Sequence, residues 1–481
     1  AGERDAEDLA DDLELFSDDA HFLPAWETLP FEHVSPNVST MAQRAAARHA
    51  LITGGPGTVV VGSVRAVVQR VSPSPVDPIH LVVGAEVDLS ALTQRLADMG
   101  YERTDRVESR GEFAIRGGIL DLYPAQGRAA VRVDLWGDTV EEITAVSVLT
   151  QRSIGTRPSV TAFPAREVRP SGVISSEAKR LLHEAPWAAS TWDRIADGIS
   201  FPGIESWLPW LAPANTILAE ASPRTRVVLC EPSRASDRST DLDREEAELA
   251  AALAPTWGAG APAAGEHPSL YLPLASALPH DRVLEAPVSA ARPGEDALVM
   301  TRLDAAAGDA ESIAHGIGSL VGKGTQVVVA MDGIAAADRV RSVLSDAGIA
   351  LERTEQVGTA SAVIATGIHH GFVVPGLRVA VLGEQEIAGR RRAHRRVSAG
   401  GDGAATAYSD LRPGDFVVHR RHGIGRFEGL VTRSIGDVAR DYLLIAYAAE
   451  DRLYVPTDQL AAVRRYSGGE MPCSRTTSPW G

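Results

Sequence analysis

The sequence is poor in cysteine and in lysine. Only two cysteines occur among its 481 residues, Cys230 and Cys473, and they lie far apart. So few thiols exclude a disulfide framework, and their separation excludes the paired spacing of a cysteine-based zinc site. Lysine is present only as Lys179 and Lys323, so arginine carries almost all of the positive charge. We attribute this preference to the coding bias of a GC-rich genome.

The sequence also lacks long apolar runs. No segment approaches the roughly 18 uninterrupted apolar residues of a membrane-spanning helix. The first residues, AGERDAEDLADDLE, do not resemble a signal peptide. We therefore expect a cytoplasmic protein with no membrane partner. Because the first residue is Ala1 rather than Met, we also expect the chain to be part of a longer protein.

Net positive charge is a third absence. The chain has 63 acidic and 47 basic residues, which gives a formal net charge of -16. Proteins that coat nucleic acid are usually basic, so any DNA contact would be local or made by another part of the protein. The arginine cluster between Arg390 and Arg396 could contact DNA or an acidic partner. The alternative, which we favour, is a connecting helix before a glycine-rich link.

No segment has the composition of a nucleotide-binding loop. Such a loop follows a strand, precedes a helix, and needs a Lys for the phosphates and a Ser or Thr for magnesium. The segment from Gly54 to Gly57 has no Lys, and in the segment from Val321 to Thr325 the hydroxyl residue is replaced by Gly324. We expect no catalytic residue, no metal site and no ATP or magnesium cofactor in this chain.

The most informative stretch runs from Arg110 to Ile143. Apolar and polar residues alternate in it, which predicts twisted antiparallel strands broken at Gly117-Gly118. An Arg and a Trp on an outward face have the composition of a binding hot spot. The alternative is a solvated face with a half-buried Trp. In the last run, Val131, Val133 and Leu135 lie on one face of the strand, and Arg132, Asp134 and Trp136 lie on the other.

Residues 411 to 466 show a second alternating pattern, in which Phe416 and Val418 share a face and glycines mark the bends. Short strands at this density predict a small SH3-like or Tudor-like β-barrel. His419 and His422 have HxxH spacing, but no third ligand is evident, and we expect both to be structural.

The remaining segments alternate between helical and strand patterns, so we expect a multidomain α/β protein. Residues 285 to 385 predict a small parallel α/β domain. His369 and His370 lie in this domain without the spacing of a helical metal pair and without an obvious carboxylate partner.

Two strings carry a family resemblance. EFAIRGGILDLYPA followed by VRVDLWGDTVEEI resembles the UvrB-homology module of the bacterial transcription-repair coupling factors (Mfd). The resemblance implies a split RecA-like lobe with this module inserted into it. It also implies that the module binds UvrA, the damage-recognition ATPase, through Arg116, Arg132 and Trp136.

VVHRRHGIGRFEG, DYLLIAY and LYVP are similar to the RNA-polymerase-interacting domain that these factors share with CarD-type transcription regulators. The resemblance implies that an edge of the barrel pairs with the β subunit of RNA polymerase. The matching positions are Arg433 and Tyr454, and Ile435 could add an apolar contact on the same edge as Arg433.

These patterns and resemblances predict seven segments. They are 1-75, the first half of the UvrB-like domain; 76-160, the UvrA-binding module; 161-284, the second half of the UvrB-like domain; 285-388, the small α/β domain; 389-409, a linker; 410-467, the polymerase-interacting barrel; and 468-481, an atypical tail. Since the tail departs from the family pattern, we expect either a fragment or a reading frame lost near residue 470.

We therefore expect the adaptor half of a transcription-repair coupling factor, without the ATP-driven motor through which the family mainly contacts DNA. Two alternatives remain open. One is a freestanding CarD-like regulator that uses only the barrel, and the other is a nucleotide-binding enzyme with an unrecognised phosphate loop.

Overall fold

The structure is a computed structural model. It describes residues 2–389, except 74, 149–151, 171, 257–259, 264, 280, 288–297 and 304, and residues 414, 416–419, 423–435, 438–447, 452–456 and 463–465. The chain divides into two compact units, residues 1–250 with 254–395 and residues 251–253 with 396–481. The predicted arginine cluster and the predicted tail lie outside the described residues.

The larger unit begins with an α/β layer. Its elements are α1 (Glu3–Leu13), β1 (Ala20–Leu23), α2 (Val38–Thr53), β2 (Val59–Gly62) and α3 (Val64–Val68). β1 and β2 pair in parallel, with Ala20 opposite Val59. α2 begins after Asn37, whose side-chain oxygen accepts a hydrogen bond from the Ser39 N–H at 3.0 Å, as expected of a helix N-cap.

A mainly antiparallel sheet follows. The elements of this region are β3 (Ile79–Val82), α4 (Leu89–Asp98), β4 (Glu102–Arg103), β5 (Glu112–Arg116), β6 (Ile119–Leu122), β7 (Ala130–Trp136), β8 (Thr139–Val146), β9 (Ser153–Thr156) and β10 (Ser159–Ala162). β4 to β9 form a six-stranded sheet in sequence order, and only β4 and β5 are parallel. Phe113, Leu120 and Val133 of this sheet share a core with Leu92 and Leu96 of α4. These side chains bury one face of the sheet.

The next region is mainly helical. Its elements are α5 (Val173–Glu184), α6 (Ala189–Ala196), α7 (Leu208–Leu211), β11 (Val227–Cys230), α8 (Pro232–Leu253), α9 (Leu274–Ala277) and β12 (Val283–Ala286). Trp192, Leu208 and Leu242 from this region pack in one core with Trp26 and Val64. Residues before and after the six-stranded sheet thus bury their apolar side chains together.

A five-stranded sheet lies at the end of the larger unit. The elements here are α10 (Ala310–Gly322), β13 (Gln326–Ala330), α11 (Ile334–Asp346), β14 (Glu352–Thr354), β15 (Ala362–Ile364), β16 (Phe372–Val374), β17 (Val379–Leu382) and α12 (Glu384–Ala388). The strand order is β14-β15-β13-β17-β16. The predicted small parallel α/β domain is parallel except at one edge, where β16 runs antiparallel to β17. Only residues 375–378 join these two strands, too few for the crossover that a parallel pair needs.

The N-terminal segment packs onto this sheet. Leu15 shares a core with Val328 and Ile364. The backbone N–H of His369 donates to Asp12 Oδ1 at 2.7 Å, and the ring places Nδ1 at 2.8 Å from the same oxygen and Nε2 at 3.1 Å from Asp8 Oδ1. The carboxylate partners of His369 were not evident from the sequence, because they lie more than 350 residues earlier in the chain.

The smaller unit is an antiparallel sheet. Its strands are β18 (Phe416–His419), β19 (Gly423–Ile435), β20 (Val438–Ala446), β21 (Arg452–Pro456) and β22 (Val463–Arg465), in the order β21-β20-β19-β18-β22. Val417, Phe427, Leu443, Ile445 and Val455 form its core. Across the described parts of both units, no helix is both long enough and apolar enough to cross a membrane.

Gly203 provides a test of the packing in the helical region. Its φ is 83°, and an added Cβ would lie 2.0 Å from the backbone oxygen of His33. Gly198 has a similar φ of 81°, but its nearest neighbour would lie 3.7 Å away. We expect Gly198→Ala to cost about 1 to 2 kcal/mol for the left-handed conformation. Gly203→Ala should cost at least about 2 kcal/mol more, because the backbone must also move. Urea unfolding followed by tryptophan fluorescence measures both, and equal losses would contradict the packing.

Candidate functional site

The three residues predicted to bind UvrA share one face of the six-stranded sheet. Arg116 on β5 lies opposite Ile119 on β6, which in turn lies opposite Asp134 on β7. Directly opposed residues of antiparallel strands point to the same side. Arg132 and Trp136 lie two residues before and after Asp134, so they share that side as well. We call Arg116, Arg132 and Trp136 the sheet surface.

Trp136 is the most prominent member of the sheet surface. Its exposed fraction is 80%, the largest of any large apolar side chain in the described ranges. Val133, on the opposite face of the same strand, is completely buried. The interpretation of Trp136 as half-buried is therefore wrong. An indole held in water offers a large apolar area that a partner can cover.

Arg132 is held by a carboxylate of its own chain. Its Nε donates to Asp121 Oδ1 at 2.7 Å and its Nη2 to Asp121 Oδ2 at 2.9 Å. The hydrogen bonds to Asp121, more than any other effect, raise the pKa of Arg132 above its usual value, so the guanidinium stays charged. Two parallel bonds also fix the plane of the guanidinium.

Arg116 is held more loosely. It ends β5 just before Gly117, which has a φ of 62° and forms the turn to β6. Its side chain is exposed, and its Nη2 donates to the backbone oxygen of Asp105 at 2.5 Å. The backbone oxygen carries no full charge, and no carboxylate among the described residues forms an ion pair with Arg116, which places a positive charge at the end of the sheet.

The residues predicted to bind RNA polymerase lie on the sheet of the smaller unit. Arg433 lies opposite Arg440, and Ile435 lies opposite Val438 at the end of the β19–β20 pair. β18 pairs only with Gly423–Arg426, so the stretch of β19 around Arg433 has no described neighbour on its other side. Such an edge offers unpaired backbone groups to an added strand.

Tyr454 lies on β21 opposite Leu444. In the register across β20, Tyr454 pairs with Leu444, and Arg433 and Ile435 pair with Arg440 and Val438 further along the same strand. The Tyr454 ring is half-buried and meets Tyr442 edge-to-face, with the ring centroids 6.4 Å apart. We call Arg433, Ile435 and Tyr454 the edge surface.

Comparison with known proteins gives matches to the two regions that contain these surfaces. The family model described as "UvrB interaction domain" matches residues 79–168, and the model described as "CarD-like/TRCF RID domain" matches residues 411–467. The chain is 32% identical to the transcription-repair-coupling factor of Mycobacterium tuberculosis over 98% of its own length. The corresponding values are 27% over 97% for the Bacillus subtilis protein and 26% over 96% for the Escherichia coli protein.

The chain belongs to the transcription-repair-coupling factor family. It spans about two fifths of the length of these relatives, 42% in each case. In this family member the sheet surface lies inside the first matched region and the edge surface inside the second.

The glycine-rich segments of this transcription-repair-coupling factor homologue have helix-to-strand order. Gly54–Gly57 connects α2 to β2, and the segment from Lys323 to Thr325 connects α10 to β13. A phosphate loop needs the reverse order, because the helix that follows it directs its N-terminal amides at the anion. Both segments are turns, as the sequence indicates.

Sequence reasoning missed the residue that holds Arg132 of the sheet surface. Asp121 lies within an apolar strand, and its side chain is only 9% exposed. Buried carboxylates need a partner, so a lone Asp in ILDLYP could have prompted a search for a cation. The choice of Arg132 required the pairing of β6 with β7.

Trp136 and Val133 provide a test of which face is free. We expect Trp136→Ala to change the free energy of unfolding by less than about 0.5 kcal/mol, because the indole is mostly in water. Val133→Ala should cost about 2 kcal/mol, because it opens a cavity in the core. Urea titration of both variants decides this. A larger loss for Trp136→Ala would show that the indole is part of the fold.

Proposed function

We propose that this chain is the adaptor part of a transcription-repair coupling factor. It binds UvrA through the sheet surface and the β subunit of RNA polymerase through the edge surface, and so recruits excision repair to a stalled polymerase in the cytoplasm. The observation that carries the proposal is that one chain holds both matched regions.

The proposal includes a finer architecture. Residues 1-75 and 161-284 form a split RecA-like lobe around the UvrA-binding module at 76-160, and residues 410-467 form an SH3/Tudor-like barrel. The core that Trp26 shares with Trp192 and Leu208 supports the split lobe. In this proposal, ATP, magnesium and most DNA contacts belong to the motor of a full-length family protein, and not to the segment described by this sequence.

The sheet surface is tested by its binding to UvrA. We expect Arg132→Ala and Trp136→Ala each to raise the Kd for UvrA by about 30-fold or more, as for central hot-spot residues. Binding to RNA polymerase should not change. Matched controls are Arg238→Ala, which removes another bidentate arginine, and Leu377→Ala, which removes another exposed apolar side chain. If the controls weaken binding as much as the two variants, the sheet surface is not the site.

The edge surface is tested by its binding to RNA polymerase. We expect Arg433→Glu to reduce polymerase binding by at least about 100-fold, because a reversed charge adds repulsion to the lost contact. UvrA binding should remain. Arg426→Glu is the matched control, since Arg426 lies on the same strand where β18 covers the edge. Equal loss in both variants would assign the effect to overall charge.

Pull-downs of this chain with UvrA and with RNA polymerase, together with heat denaturation in the presence of ATP, distinguish the two alternative functions. A chain that captures polymerase but not UvrA would be a freestanding transcription regulator. A chain that captures neither, but is stabilised against heat by ATP, would be a nucleotide-binding enzyme.

A further inference from the structure

We propose that Asp121 is a positioning residue for partner binding, and that it presents Arg132 to a neutral carbonyl oxygen of UvrA rather than to a carboxylate. This inference rests on the proposed UvrA-binding function.

The first step is the rigidity of Arg132. Asp121 and Arg132 lie directly opposite each other on β6 and β7, and the two parallel hydrogen bonds measure 2.7 and 2.9 Å. The side chains are 9% and 29% exposed, so the carboxylate is nearly buried while the guanidinium still reaches the surface. Arg132 is thus ordered before a partner arrives, and binding does not have to immobilise it.

The second step concerns the N–H donors of Arg132 that are not bonded to Asp121. A guanidinium has five N–H donors, and Asp121 engages the edge formed by Nε and Nη2. The Nη1 group makes no hydrogen bond in the described structure. The edge formed by Nη1 and the second Nη2 proton therefore remains for an acceptor outside this chain.

The third step is the charge around this edge. Asp121 already neutralises Arg132, and Asp134 and Glu142 lie opposite each other on the same face. Asp121, Asp134 and Glu142 thus place three carboxylates on the face that carries this guanidinium. Like charges on directly opposed residues such as Asp134 and Glu142 are unfavourable. A fourth carboxylate from the partner would meet net negative charge, whereas a main-chain or amide carbonyl accepts the same hydrogen bonds without this repulsion.

Arg116 differs in the charge that it offers. Its bond goes to the uncharged Asp105 backbone oxygen, and no carboxylate in the described part of the chain pairs with it. We therefore assign long-range attraction to Arg116 and directional hydrogen bonding to Arg132. The two roles predict different responses to salt, because salt screens attraction between net charges.

The test measures the Kd of the full chain for UvrA. Asp121→Asn keeps the shape but sets an amide N–H against Nη2, and we expect the Kd to rise roughly tenfold through lost ordering of Arg132. In an Arg132→Ala background the same substitution should have no further effect. Glu245→Gln, at the half-buried Arg238–Glu245 pair, is the matched control and should leave the Kd unchanged.

Salt and a second variant extend the test. The Kd ratio of Arg132→Ala to wild type should stay within about twofold between roughly 50 and 300 mM salt, while the ratio for Arg116→Ala should fall. Arg132→Lys keeps the charge and the ion pair with Asp121 but has no forked edge. We expect it to weaken binding nearly as much as Arg132→Ala. This variant tests the inference even if Asp121→Asn does not fold.

Three results would overturn the inference while leaving the proposed function intact, provided that the wild-type chain binds UvrA. They are unchanged binding by Asp121→Asn, additive losses with Arg132→Ala, and wild-type affinity for Arg132→Lys. If the Kd ratio of Arg132→Ala to wild type depends strongly on salt, the inference that the acceptor on UvrA is uncharged would be overturned. If the wild-type chain does not bind UvrA, both the proposed function and this inference are wrong.

Discussion

The two-residue period of the six-stranded sheet is the constraint on which the candidate UvrA site depends. Phe113, Leu120 and Val133 are fully buried on one face of the sheet. The residues that neighbour them along each strand must therefore point to the other face. A slip of one residue would bury Arg132 and Trp136 and expose the core, which makes the register strongly preferred. The candidate face therefore follows from burial on the opposite face, without a dedicated loop.

The position of this sheet is fixed by buried polar contacts as well as by apolar packing. Glu167, just after β10, accepts hydrogen bonds from Trp26 Nε1 and Arg44 Nε, both at 2.8 Å. The side chains of Arg44 and Glu167 are 2% and 7% exposed, and breaking such a pair leaves an uncompensated buried charge. The contacts of Glu167 thereby link the chain after β10 to Trp26 and to α2. The contacts of His369 with Asp8 and Asp12 link the five-stranded sheet to α1.

The sequence allowed us to predict local features better than long-range ones. Alternation in the stretch from Arg110 to Ile143 predicted the antiparallel strands, because each side chain's direction depends only on its own strand. The partner of Arg132 was not predicted, because Asp121 becomes its neighbour only through strand pairing. The carboxylates that hold His369 lie more than 350 residues away, beyond any local pattern. The roles of Arg116, Arg132, Trp136, Arg433, Ile435 and Tyr454 stay predictions, since they depend on partners and not on this fold.

The central claim is that one chain binds UvrA and RNA polymerase at the same time. A bridging experiment tests this claim most directly. RNA polymerase would be immobilised and exposed to UvrA with and without this chain. The adaptor account predicts that UvrA is retained only when the chain is present, and that Arg433→Glu and Trp136→Ala each abolish retention. If the chain binds polymerase and UvrA separately but never retains UvrA on the polymerase, the account is contradicted.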